Sequence, residues 1–108
     1  MFPSHDTLLA LTSLSLEDNQ ITEGGVLGLQ GLTLNHLKSL SLGWNALRDE
    51  GAVVLSQFRR NLQTLQSLSL EENQIGERGV SALAVAFLNV DLCLDDNLFE
   101  CSRLACVI

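Results

Sequence analysis

The chain has 108 residues, 46% of them hydrophobic and 5% aromatic, with a formal net charge of -7. That length holds one domain, and the apolar share is enough for a continuous core filled by aliphatic side chains and too high for a disordered tail. The negative charge argues against a nucleic-acid backbone or an anionic membrane surface as partner and favours a basic protein patch, although single-sign charge is also a plain solubility device.

Taken from the start, Met1 to Leu16 has no basic region followed by an uninterrupted apolar stretch, so no secretory signal is expected. Nothing in the chain approaches the ~18 apolar residues of a membrane span. Residues Thr7 to Ala10 read as the tail of a helix entered without its strand. A pattern then begins: Leu11-x-x-Leu14-x-Leu16-x-x-Asn19-x-Ile21. It recurs from Leu37 to Leu47 around Asn45, and from Leu65 to Ile75 around Asn73. Each copy continues with a glycine (Gly25, Gly51, Gly79), then Val26, Ala52 or Val80, then Leu29, Leu55 or Leu83. A weaker fourth copy runs Leu92-x-Leu94-x-x-Asn97-x-Phe99, with Leu104 and Val107 at the later apolar positions. There Asn89 stands at the first leucine position and Arg103 at the glycine. Successive asparagines lie 26, 28 and 24 residues apart.

Each position has a physical reason. Leucines two apart share one face of a strand, and that face must be the core. The asparagine follows the strand where the chain turns, and its amide both donates and accepts, so stacked asparagines can satisfy the backbone of buried turns. The glycine suits a close backbone approach or a left-handed conformation. Val26, Leu29 and Leu32, like Val80, Leu83 and Phe87, then fall at helical spacing. The unit is therefore strand, asparagine turn, helix, with Leu62 and Leu88 in the links to the next strand.

These residues resemble the ribonuclease-inhibitor type of leucine-rich repeat, over roughly Leu8 to Phe99 and most specifically through Asn-x-Ile/Leu-x-x-x-Gly. Similar repeats occur in NOD-like receptors and in GTPase activators of the Ran type. The resemblance implies an α/β solenoid, a short horseshoe segment with parallel strands on the concave face and helices on the convex face. Residues 1–108 are expected to be one such domain, with repeats at about 11–36, 37–64 and 65–88 and an irregular terminal unit at 89–108. Stacked repeats need polar end caps, and neither end carries one. The chain is thus expected to be a fragment or shortened product of a longer repeat protein, with uncapped ends open to self-association. The alternative is that the fourth unit is itself the cap, with Leu104, Val107 and Ile108 closing the core.

On such a scaffold the residues between the leucines face the concave side: Ser13, Ser15, Ser39, Ser41, Ser67 and Ser69, then Asp91 and Cys93. The serines read as a flat floor with a structural role. More information sits in the two positions before each asparagine, Glu17 and Asp18, Gly43 and Trp44, Glu71 and Glu72, Asp95 and Asp96. Six of these eight residues are acidic and none is basic, and the only tryptophan falls among them. An exposed aromatic ringed by charge has the composition of an interface anchor. In proteins like ribonuclease inhibitors, acidic and aromatic residues on this side engage basic ligands. By that resemblance Trp44, Glu17, Asp18, Glu71, Glu72, Asp95 and Asp96 are the candidate partner-binding residues. The bland alternative is that the acids keep the loop ends solvated while Trp44 covers a gap over Gly43.

Other features carry less. Arg59 and Arg60 read as a basic pair late in the second helix, where cations favour the dipole's negative end. Cys93, Cys101 and Cys106 lack Cys-x-x-Cys spacing, with only His5 and His36 to join them, so no zinc site is expected and buried or half-buried free thiols are. Cys106 lies third from the end, which misses the prenylation pattern. No asparagine begins an Asn-x-Ser/Thr site, which with the odd cysteine count points to a reducing, cytoplasmic setting. There is no phosphate-binding loop, nucleophile elbow or His-Glu-x-x-His, so neither enzyme chemistry nor a cofactor is expected. The functional reading is a protein-protein interaction module that binds a basic partner surface through the concave face and adjacent loops. A ligand-sensing piece of a larger NOD-like-receptor-type switch, or a GTPase regulator, are the alternatives.

Overall fold

The computed structural model describes residues 11–29 and 34–98. Four three-residue strands, β1 (Ser13–Ser15), β2 (Ser39–Ser41), β3 (Ser67–Ser69) and β4 (Asp91–Cys93), alternate with three helices. The helices are α1 (Glu23–Leu29), α2 (Arg48–Gln57) and α3 (Glu77–Ala86), and a 3-10 turn, Arg59–Leu62, follows α2. The strands form one parallel sheet in chain order. Its register is set by the repeat itself: Leu14 opposes Leu40, Leu40 opposes Leu68, and Leu68 opposes Leu92. This is the α/β solenoid that the sequence predicts, one strand, one asparagine turn and one helix per unit.

Alternation within each strand turns the middle leucine inward and the flanking residues outward, so the core lies between sheet and helices. Leu40, Leu42, Leu68 and Leu70 from the strands meet Val26, Ala52, Leu55, Val80 and Leu83 from the helices in one cluster. Leu14 and Leu92, on the outer strands, are only half-buried. Leu62 is buried in its link, whereas Leu88 is 79% exposed. Leu32, Leu104, Val107, Ile108, Cys101, Cys106 and His5 lie outside the described residues, and with them the expectation that the fourth unit closes the core. No helix among the described residues is long and apolar enough to cross a membrane.

The asparagines form the ladder their chemistry allows. Asn45 Oδ1 accepts from the backbone N–H of Asn19 and of Ile21, both at 2.9 Å, while its Nδ2 donates to the carbonyls of Leu16, Leu42 and Gly43. Asn97 repeats this one unit on, accepting from Asn73 and Ile75 and donating to Leu70 and Leu94. Each turn is therefore completed by the asparagine of the following unit.

The repeat glycines resolve to one of the two readings. None of the described glycines has positive φ. They allow close approach instead: a Cβ on Gly51 would stand 2.8 Å from Leu47 Cβ. In α3 the same closeness admits a carboxylate. Asp49 Oδ1, from the first turn of α2, accepts from the backbone N–H groups of Gly76 (2.8 Å) and Gly79 (2.9 Å). Gly76 itself caps α3 with no side-chain hydrogen bond, so Asp49 acts as an N-cap reaching across from the preceding repeat. Asp49→Ala is expected to lower stability by about 1–2 kcal/mol, read as a shifted midpoint in urea unfolding, while Asp49→Asn retains most of it.

The basic pair does not sit as the sequence suggests. Helix α2 ends at Gln57, and Arg59 and Arg60 lie in the 3-10 turn beyond it. Arg59 donates to the Leu62 carbonyl at 2.5 Å and its guanidinium lies 5.4 Å from the centre of the Phe87 ring. Its contacts are thus a local carbonyl and an aromatic face in the next repeat rather than the end of α2.

Candidate functional site

Beyond the first three strands the parallel ladder continues for three residues. Asp18 N–H donates to the Gly43 carbonyl at 3.1 Å, Trp44 N–H to Glu71 at 2.8 Å and Glu72 N–H to Asp95 at 3.1 Å. These bonds bring the four predicted pairs side by side along one rim of the sheet. Asp18, Trp44, Glu72 and Asp96 all have left-handed backbone, with φ of 56°, 59°, 56° and 59°. This conformation costs a non-glycine residue roughly 1 kcal/mol. It turns the chain so that the next residue, the asparagine, enters the interior. Tryptophan is an unusual occupant of it, since bulky residues seldom adopt positive φ.

Trp44 is 56% exposed. Glu17, Asp18, Asp95 and Asp96 are exposed, and Glu71 and Glu72 are half-buried. The Glu71 carboxylate lies in the space over Gly43. A Cβ on Gly43 would fall 2.7 Å from Glu71 Cδ and 3.2 Å from its Cγ.

The serine floor does more than fill. Ser41 Oγ donates to Glu17 Oε1 at 2.6 Å, across from one repeat to its neighbour, and Ser69 Oγ donates to Glu71 Oε2. Sequence reasoning missed these contacts, though a hydroxyl two residues before a carboxylate on one strand face is the signal that marks Ser69. Burial works against ionisation of Glu71, but hydrogen bonds from the Ser69 hydroxyl, its own backbone N–H and the Cys93 thiol outweigh it and hold the carboxyl below the usual glutamate range. The stabilisation that follows is present at neutral pH and is lost as pH falls through the folded-state value.

Cys93 corrects an expectation of buried thiols: it is exposed on the strand face. Partial desolvation pushes its thiol up, helped by the negative charges of Glu71 and Asp95. A thiol so placed stays protonated and weakly nucleophilic. The rim is therefore an anionic band broken by one exposed aromatic, suited to accepting hydrogen bonds and cations.

A family model described as a leucine-rich repeat matches residues 10–29, 33–56 and 61–84. The chain is 40% identical over 77 residues to a Mus musculus protein named ribonuclease inhibitor, an alignment covering 68% of this chain and 17% of that protein. It is 36% identical over 98 residues to the Sus scrofa protein of the same name, covering 88% of this chain and 22% of the other. The chain thus spans about a fifth of the length of these relatives.

Proposed function

Because the chain belongs to the leucine-rich repeat family, with repeats of the ribonuclease-inhibitor type, we propose that it binds a protein with a basic surface through the rim around Trp44. The observation that carries this reading is the placement of Trp44, a bulky residue held in a left-handed conformation with more than half of its surface in solvent. Only part of it adds to packing, and the other units fill the same left-handed position with a smaller, acidic side chain, so a tryptophan there is not what the turn itself requires. Its neighbours along the rim are carboxylates on both sides, an arrangement that steers and orients a cationic partner. The names of the mouse and pig relatives make a basic ribonuclease the first probe to use. A reducing, cytoplasmic setting belongs to the same proposal.

The test is retention of a basic ribonuclease, and of proteins from a cytosolic extract, on immobilised chain at low and high salt. Wild type is compared with a Trp44→Ala, Glu71→Lys, Glu72→Lys variant. Binding is expected to weaken as salt rises and to drop at least about tenfold in the variant, as loss of a central anchor and two charges requires. If the variant retains the same proteins as wild type, or if neither retains any while both stay folded by circular dichroism, the rim is not the binding surface.

A further inference from the structure

The six carboxylates of the rim are not equivalent, and the difference lies at Gly43. Every other repeat has a side chain at the corresponding position, Glu17, Glu71 or Asp95. Gly43 is buried and leaves a slot beside Trp44, and the far end of Glu71 lies in it. Ser69, on β3, holds the same carboxylate by its hydroxyl.

We infer that Gly43 and Ser69 are positioning residues, which together lay the Glu71 carboxylate flat over the second repeat, next to Trp44, as a fixed acceptor for a partner's cation. The inference rests on the rim being the binding surface, and it adds which acid is preorganised and what holds it. A carboxylate fixed before binding loses little side-chain freedom in the complex, whereas an exposed acid such as Asp96 must be ordered by the partner. The adjacent indole face and the flat carboxylate suit an arginine or lysine side chain laid along the floor between them.

Gly43→Ala is the incisive variant. The nearest atoms the added methyl meets are at the flexible end of Glu71, and Gly43 does not have positive φ, so the fold should tolerate it. Ser69→Ala removes the hydroxyl without adding bulk. Two measurements separate placement from binding. In the free protein, the Glu71 side-chain carboxyl carbon is followed by NMR across acidic pH. It is expected to titrate below the usual glutamate range in wild type and to move up towards it in both variants. An unmoved titration in Gly43→Ala overturns the inference. The second measurement is affinity for a basic ribonuclease in a double-mutant cycle. Each variant is expected to weaken binding about threefold to tenfold with Glu71 present and to have no effect in a Glu71→Gln background. Equal losses in both backgrounds would make Gly43 and Ser69 ordinary structural residues and overturn the inference. A wild type that binds no ribonuclease overturns the partner reading, and the titration then decides the placement of Glu71 by itself.

Discussion

Asn73→Ala is expected to destabilise the protein by about 3–5 kcal/mol, a large part of the ~5–10 kcal/mol available to a chain of this size. Asn73 is fully buried. Its Oδ1 accepts from Leu47 N–H at 3.3 Å, and its Nδ2 donates to the carbonyls of Leu42 (2.8 Å), Leu70 (3.1 Å) and Glu71 (3.2 Å). Alanine removes all four contacts and supplies none, leaving the Leu47 N–H without an acceptor in a buried turn and the three carbonyls with one donor each, from Asn45, Asn97 and Trp44. The orphaned N–H costs roughly 1–3 kcal/mol and each carbonyl bond lost roughly 0.5–1.5 kcal/mol. Asn19 is the control, being exposed, with its amide donating to the Glu17 carbonyl at 2.9 Å. Asn19→Ala should cost under about 1 kcal/mol. Urea unfolding followed by circular dichroism compares the two, since Trp44 is too exposed to report on the core. Equal midpoints for the two variants would mean that the asparagine ladder does not hold the turns.

Gly79→Ala is expected to lose about 2 kcal/mol net. The new Cβ would stand 2.5 Å from Ile75 Cγ2, 2.8 Å from Asp49 Oδ1 and 2.9 Å from Ala52 Cβ. Ile75 and Ala52 are both fully buried and have nowhere to move. The third contact is the carboxylate that caps α3, so overpacking also disturbs the cap. Overpacking costs roughly 1–3 kcal/mol and a lost cap roughly 1 kcal/mol, against which alanine regains about 1 kcal/mol of helix propensity. Gly28→Ala isolates that last effect. A Cβ there meets nothing within 4 Å, and the change should stabilise by up to about 1 kcal/mol. Opposite signs at two helical glycines are the expected result of thermal unfolding. If both changes stabilise, close approach of the helices does not explain Gly79.

What could be read from the sequence was whatever recurs. Leu14, Leu40, Leu68 and Leu92 announce their register because each strand repeats the same spacing, and the asparagine ladder follows from one residue type at one position. Contacts between repeats of different composition could not be read. Asp49 looks like any acid in a first helical turn until the coordinates bring it to Gly76 and Gly79, 27 and 30 residues on. Glu71 reaches Gly43 only because neighbouring units pair 28 residues apart, as Ser41 does with Ser69. Arg59 falls within the helix on periodicity alone, because periodicity does not say where a helix stops. The longer second repeat places its additional residues in the 3-10 turn, which carries the arginine to Phe87. At the rim, sequence gave the membership of the row but not the bend of each side chain, which depends on a neighbour's hydroxyl or the absence of a neighbour's Cβ.

The two sets of polar links between repeats run in opposite senses along the chain. On the turn side each asparagine serves the unit before it, whereas on the helix side Asp49 serves the unit after it. The second unit thus completes the turn of the first through Asn45 and caps the helix of the third through Asp49. That unit therefore cannot be deleted or exchanged without undoing bonds that belong to its neighbours on both sides.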